Sequence, residues 1–344
     1  MSEEKKLIVS ASPHMKSPAT VPGIMLDVVI SLIPAAFAGI AVFGFRAAAV
    51  MAVCVISCVL FEFFARKIMK RSVTIGDLSA VVTGLLLAFN LPVDIPLWMC
   101  VIGSFVAIVI VKQFFGGIGQ NFANPAITAR IVMLVSFASS MSTFTVPKAA
   151  QAVDAVTSAT PLAVLGGIDK GADLTVEITK RLGSGELPSM LRMFFGVRGG
   201  CIGETCAAAL LLGAAYLLIR GVISFAIPGA YIGTVAVFML LTSGFNIGYT
   251  AYELMGGGLL LGAFFMATDY TTSPINTKGK IVFGVGCGLV TSVIRLYGSL
   301  PEGVSYSILL MNILCPLIEK ATAPKFFGFI KEKKEKKAKE GATA

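Results

Sequence analysis

An all-helical, polytopic membrane fold is predicted by three features of this chain. Of its 344 residues, 56% are hydrophobic and 14% charged, and the mean hydropathy is +0.86. Lipid rather than water must therefore cover most of its surface. Apolar stretches approaching the ~20 helical residues that cross a hydrocarbon layer recur from Ile24 almost to Lys320. Lys and Arg are concentrated in alternate connections between these stretches, as the positive-inside rule requires of a chain threading back and forth.

Taken in order, the first 23 residues are polar and lack an apolar core ending in a cleavage site, so no cleavable signal peptide is expected. Apolar segments follow at roughly 24–43, 47–65, 76–91, 95–113 and 125–140, and after a polar interruption at 200–219, 221–241, 252–267, 280–297 and 302–320. With the amino terminus inside, the cytoplasmic side collects Lys5, Lys6, Lys16, Arg66, Lys67, Lys70, Arg71, Lys112, Arg220, Lys278 and Lys280. The short outer loops carry only Arg46 and Arg295. The long region 141–199 then lies outside and the carboxyl terminus inside.

The predicted organisation is thus a cytoplasmic segment (1–23), five membrane helices (24–140), an extracytoplasmic region (141–199), five more helices (200–320) and a basic cytoplasmic tail (321–344). Two halves with an odd number of helices each would lie in opposite orientations, so inverted repeats are the natural expectation. Gly84-Leu85-Leu86-Leu87-Ala88-Phe89 is echoed by Gly258-Leu259-Leu260-Leu261-Gly262-Ala263-Phe264. Both lie in short spans leading into proline-containing loops, the pattern of broken helices around a central site. The alternative is that Gly-Leu-Leu-Leu is simply common in membrane helices.

The net charge of +9 does not require a nucleic-acid partner, because eight of the 28 basic residues lie between Lys320 and Lys339 in the juxtamembrane tail. The seven cysteines fall almost entirely in apolar segments, where a thiol behaves as a small hydrophobe. Neither Cys54/Cys58 nor Cys201/Cys206 has the C-x-x-C spacing of a metal or redox pair. The single histidine, His14, argues against a histidine-built haem or zinc centre.

Ionisable groups among apolar residues are costly, and Asp27, Glu62, Asp77, Arg130, Glu204, Glu253, Asp269 and Arg295 qualify. Several lie near span ends, within reach of the interface. Arg130, inside the fifth span, is expected to pair with a carboxylate, and Asp269 to close the short eighth helix. Hard cations favour oxygen ligands, which Asn121, Asn124, Thr268 and Asp269 and nearby broken-helix carbonyls offer, and these four with Arg130 are the candidate ion-pathway residues. The same groups also suit the satisfaction of free backbone at helix breaks.

Within the outer region stands Asp154-Ala155-Val156-Thr157-Ser158-Ala159-Thr160-Pro161-Leu162. By composition it is a turn before a helix, with Thr157 or Ser158 as cap. It also matches D-x-x-[S/T]-[S/G]-A-T, the acceptor sequence of flavin transferases that move FMN from FAD onto the final threonine. Three further segments occur in the order of one family. They are Lys112–Asn121 with Asn124-Pro125-Ala126, Met266–Asp269 with Thr272-Ser273-Pro274, and Arg295–Gly298 with Pro301–Tyr306. From about Ser12 to Lys320 the chain resembles the RnfD component of the Rnf complex, a family close to the NqrB component of the sodium-translocating NADH:quinone oxidoreductase.

The resemblance implies a flavoprotein subunit of a membrane translocase, ferredoxin:NAD+ oxidoreductase, which couples electron transport to Na+ or H+ transport. It implies FMN joined to Thr160 by a phosphodiester, with Asp154, Thr157, Ser158 and Ala159 completing the attachment motif, and a non-covalent riboflavin without assigned residues. Expected partners are the other Rnf subunits, among them a second covalent-FMN subunit and iron–sulfur subunits, together with a flavin transferase and lipid. The implied location is the prokaryotic cell membrane. No G-x-G-x-x-G after a strand and no ferredoxin-type cysteine run is present, so ferredoxin and nicotinamide chemistry falls to partners. Two readings compete, a secondary transporter of the urea- or vitamin-permease kind and a flavin-free assembly scaffold.

Overall fold

The computed structural model describes residues 19–145, 159–168, 173–298 and 302–324, and every regular element among them is helical. Four helices are long and apolar enough to cross a membrane: α1 (Val21–Phe43), α2 (Phe45–Ile68), α14 (Thr277–Tyr297) and α15 (Val304–Thr322). Five shorter apolar helices join them: α3 (Ser79–Phe89), α4 (Leu97–Phe105, continuing as a π-helix to Gln113), α5 (Pro125–Ser136), α10 (Ala207–Ile219) and α11 (Ala226–Thr242). A broken pair, α12 (Ile247–Met255) and α13 (Leu259–Leu261, π-helical to Met266), stands where the eighth span is expected. The remaining short helices are α6 (Ala138–Ser142), α7 (Pro161–Gly166), α8 (Leu174–Gly183) and α9 (Met190–Phe195).

Local chemistry explains the starts and breaks. Thr20 accepts from Gly23 N at 3.3 Å to cap α1, whose first turn holds Pro22, and Asn124 caps α5 directly before Pro125. Close helix contacts rest on small residues. A Cβ on Gly84 would lie 2.8 Å from Val55 Cα, so α3 lies flush on α2. A Cβ on Gly213 would lie 2.0 Å from Ser31 O, which brings α10 onto α1 in the same way. In the other half, Tyr231 on α11, Thr291 on α14 and Ser307 on α15 close a buried hydroxyl triangle with sides of 2.7, 2.9 and 2.7 Å.

Two spans differ from their sequence expectation for the same reason. The sixth begins at Ala207 rather than near residue 200, because Ile202 N and Gly203 N donate to Leu91 O (3.1 Å) and Phe89 O (3.0 Å). The stretch 200–205 thus satisfies carbonyls that α3 leaves free at its end, something lipid cannot do. The eighth breaks at Gly256–Gly258, where Arg295 Nη2 donates to Gly256 O at 3.2 Å. The C-terminal ends of the two short helices then meet, Asn90 Nδ2 lying 3.7 Å from Met266 Sδ.

Candidate functional site

The fold organises polar groups at three levels. On the face carrying α7 to α9, Thr160 precedes Pro161 and its Oγ1 accepts from Ala163 N at 3.3 Å, so Thr160 itself caps α7. Asp154, Thr157 and Ser158 lie outside the described residues, whereas Ala159 is exposed and Thr160 is buried. α7 and α8 pack against α12. Beside them opens a cleft of about 820 Å³, lined by Leu165 and Gly166 of α7, Phe245 and Asn246 of the α11–α12 turn, Tyr249 and Arg295. Phe245 holds φ +65°, a conformation uncommon outside glycine, and its ring is exposed.

At the junction of the short helices stands Arg130. It donates from Nη1 to Asn90 Oδ1 and Ser305 Oγ, both at 3.0 Å, and forms an ion pair from Nη2 with Glu302. The expected carboxylate partner of Arg130 is therefore Glu302, in the connection before α15. Cys201 Sγ lies 3.8 Å from Nη2, and the ligand-type atoms of Cys201, Glu204 and Glu302 fall within 4.8 Å of one another. A guanidinium serves this acidic cluster as its cation, and Glu204 turns back to accept from Cys201 N at 2.9 Å. Arg198 adds a second buried guanidinium, bound to Glu204 O at 2.6 Å and Met255 O at 2.8 Å.

Helix α5 links both broken ends. Its cap Asn124 donates from Nδ2 to Met266 O at 3.1 Å, holding the end of α13. Arg130, six residues on and ~9 Å further along the axis, holds the end of α3 through Asn90. Four of the five predicted ion-pathway residues come together on the α13 side: Asn121, Asn124, Thr268 and Asp269 line one cavity of about 510 Å³ with Ser79 and Lys112. Arg130 does not line it. Asp269 lies past the helix end at Met266, where its Oδ2 accepts from Thr271 at 2.9 Å and Thr272 at 3.2 Å. Thr268 Oγ1 donates to Phe264 O and Asn121 Nδ2 to Ala123 O, so both are tied to local backbone.

Sequence reasoning missed the role of Lys112. Counted as a loop charge, it is only 3% exposed and bridges Glu62 Oε2 (2.9 Å) and Ser79 Oγ (2.6 Å). Glu62 also accepts from Gln113 at 3.0 Å and Thr74 at 3.1 Å. Arg295 likewise pairs with Glu253 at 3.1 Å and binds its backbone carbonyl at 2.6 Å. Each pair joins an acid near one span end to a base ending another. No spacing along the chain encodes that meeting, and the one available signal was the placement of both charges at span ends.

A helical membrane protein with broken helices meeting at its centre and buried ion pairs around them is the class these features define. The family model described as the NQR2, RnfD, RnfE family matches residues 8–328, and the chain belongs to that family. It is 48% identical over 338 residues to the D subunit of the Na+-translocating ferredoxin:NAD+ oxidoreductase complex of Acetobacterium woodii, covering 97% of this chain and 99% of that protein. It is 44% identical to the D subunit of the proton-translocating ferredoxin:NAD+ oxidoreductase complex of Clostridium ljungdahlii, with 93% and 96% covered. Against the D subunit of the ion-translocating oxidoreductase complex of Escherichia coli the identity is 31%, with 93% and 98% covered.

Proposed function

We propose that this chain is the membrane subunit of a multi-subunit ferredoxin:NAD+ oxidoreductase that carries FMN on Thr160, relays electrons and contributes to Na+ or H+ translocation. The observation that carries the reading is Thr160 itself, which ends the D-x-x-T-S-A-T motif and caps α7, the helix whose other end, Leu165 and Gly166, lines a cleft of flavin-accepting size. In the attachment, Thr160 Oγ attacks the flavin-side phosphorus of FAD within the transferase. The new P–O bond forms as the pyrophosphate bond breaks, AMP leaves, and the hydroxyl proton passes to solvent or a transferase base. The ester oxygen keeps lone pairs, so the cap to Ala163 N is compatible with the modification. Phe245, Tyr249 and Asn246 supply aromatic and hydrogen-bonding surface in that cleft. A bound flavin supplies one-electron transfer, and the protein supplies its position.

In this reading the chain threads ten times through the membrane as two inverted five-helix repeats (24–140 and 200–320), with residues 141–199 outside and both termini in the cytoplasm. Basic residues at the ends of α2 and α15 and the start of α14 support that orientation. Asp269, Thr268, Asn121 and Asn124 form the ion-handling group around the cavity at the α13 end, while Arg130 fixes the end of α3 through Asn90. Partner subunits hold the ferredoxin and nicotinamide sites, the iron–sulfur clusters and a second covalent FMN, and a non-covalent riboflavin completes the flavin complement. The test is ultraviolet fluorescence of this subunit on a denaturing gel. It should be present when the chain is made with its transferase and absent in Thr160→Val. A dark wild-type band under those conditions overturns the flavin assignment.

A further inference from the structure

The turn from α11 to α12 carries more backbone strain than ending a helix requires. Gly244 takes φ +63° and Phe245 N donates to Leu240 O at 2.8 Å, the long closing bond of a Schellman stop. One left-handed residue, the glycine, completes that motif. Phe245 then takes a second left-handed conformation at φ +65°, which glycine or asparagine adopts at less cost than a bulky side chain. Asn246 follows at once as the cap of α12. Its Oδ1 accepts from Tyr249 N and its Nδ2 donates to Thr175 Oγ1 of α8, both at 2.9 Å, so the turn is pinned from two sides.

Burial does not account for the phenylalanine. The hydrophobic contact that often accompanies such a stop would cover the ring against Leu240, yet Phe245 is 72% exposed. Among the described residues its ring pairs with no other ring and with no cation. Phe245 does line the cleft of about 820 Å³, together with Tyr249 and with Tyr297 at the end of α14, itself 71% exposed. An aromatic side chain on a fixed turn suits a flat conjugated ring, because stacking depends on how the two planes are held. An acyl chain, by contrast, needs neither a ring nor a fixed turn.

We propose that Phe245 is the residue on which the isoalloxazine ring of the FMN carried by Thr160 stacks, a proposal that rests on the attachment put forward above. Thr160 caps α7 and Gly166 ends it at the cleft, six residues or ~9 Å further along the axis. The ribityl phosphate arm of FMN extends over about the same distance. Phe245 thereby fixes the plane of the ring, and the gap across which electrons pass is set by the α11–α12 turn rather than by the swing of a flexible arm.

The experiment uses the intact complex made with its transferase. Peptide mass first reports whether residue 160 carries FMN. Visible circular dichroism of the flavin bands, taken as the difference between each complex and the same complex bearing Thr160→Val, then reports how firmly this one ring is held. Phe245→Gly suits the left-handed backbone and should not lower the melting midpoint, while the ratio of docked to free ring falls about two- to tenfold, the weight of one aromatic pair. Phe245→Tyr keeps a ring at the same place and should keep the signal. An unmodified wild-type peptide overturns the attachment and the stacking together. A modified peptide with equal signals in wild type and Phe245→Gly overturns the stacking alone, as does an equal loss in Phe245→Tyr and Phe245→Gly. A Phe245→Gly complex that melts well below wild type also overturns it and assigns the ring to packing.

Discussion

Replacing Lys112 by Met tests whether the buried ion pairs, rather than apolar contact alone, hold the helix ends in place. The Lys112–Glu62 pair is closed at 2.9 Å with side chains 3% and 0% exposed. Lys112→Met leaves the Glu62 carboxylate enclosed with only the Gln113 amide and Thr74 hydroxyl to bond it. Breaking one partner of such a pair costs about 3–5 kcal/mol. Glu62→Gln combined with Lys112→Met removes the stranded charge, and the neutral amide keeps partners, so the double variant should lose only ~1–2 kcal/mol. The second change therefore recovers about 2–3 kcal/mol of the loss. At roughly 2 °C per kcal/mol for a large chain, the single variant should melt about 6–10 °C below wild type and the double variant should recover most of that. The assay is thermal unfolding of the detergent-solubilised complex followed by size-exclusion chromatography. A single variant melting with wild type, or a double variant no more stable than the single, refutes the reasoning.

Three further outcomes follow from the same structure. Asp269→Asn should slow or uncouple ion uptake into vesicles while gel fluorescence stays unchanged, and unaltered coupling in an assembled complex would leave Asp269 with the structural task of accepting from Thr271 and Thr272. Gly84→Val should destabilise by about 1–3 kcal/mol through overpacking, because even its Cβ meets Val55 Cα at 2.8 Å; an unchanged melting midpoint would disprove the tight α2–α3 contact. A single cysteine at Asp173, the cap of α8, should react with an impermeant maleimide from the outer face, and labelling from the cytoplasmic face alone would invert the proposed topology.

What was legible in the sequence was whatever hydropathy and local chemistry determine. The long helices α1, α2, α14 and α15 sit within a few residues of their predicted spans, because lipid demands internally satisfied backbone over a fixed length. The echo of Gly84–Phe89 in Gly258–Phe264 correctly marks the two short helices whose ends meet at Asn90 and Met266. Arg130 is recognisable because a guanidinium inside an apolar span needs a partner. Its partner Glu302 is not, since it lies 172 residues away. The start of the sixth span escapes hydropathy for a related reason. Residues 200–205 are apolar enough for a helix, but their backbone is used across the fold to cap α3. Lys112 reads as a loop charge because sequence position alone does not reveal that the π-helical end of α4 turns its ammonium inward to Glu62. The attachment motif is legible as a motif. The capping role of Thr160 is legible as well, because it stands directly before Pro161 as Asn124 stands before Pro125, and an expected cap at Thr157 or Ser158 neglects that signal.

The central claim, covalent FMN on Thr160, is most directly tested by the mass of the peptide containing residue 160, taken from the complex isolated from cells that also make the flavin transferase. This peptide should carry one FMN in phosphodiester linkage, fragmentation should localise it to Thr160 rather than Thr157 or Ser158, and Thr160→Val should abolish it while the subunit still inserts. An unmodified wild-type peptide recovered under those conditions would contradict the claim.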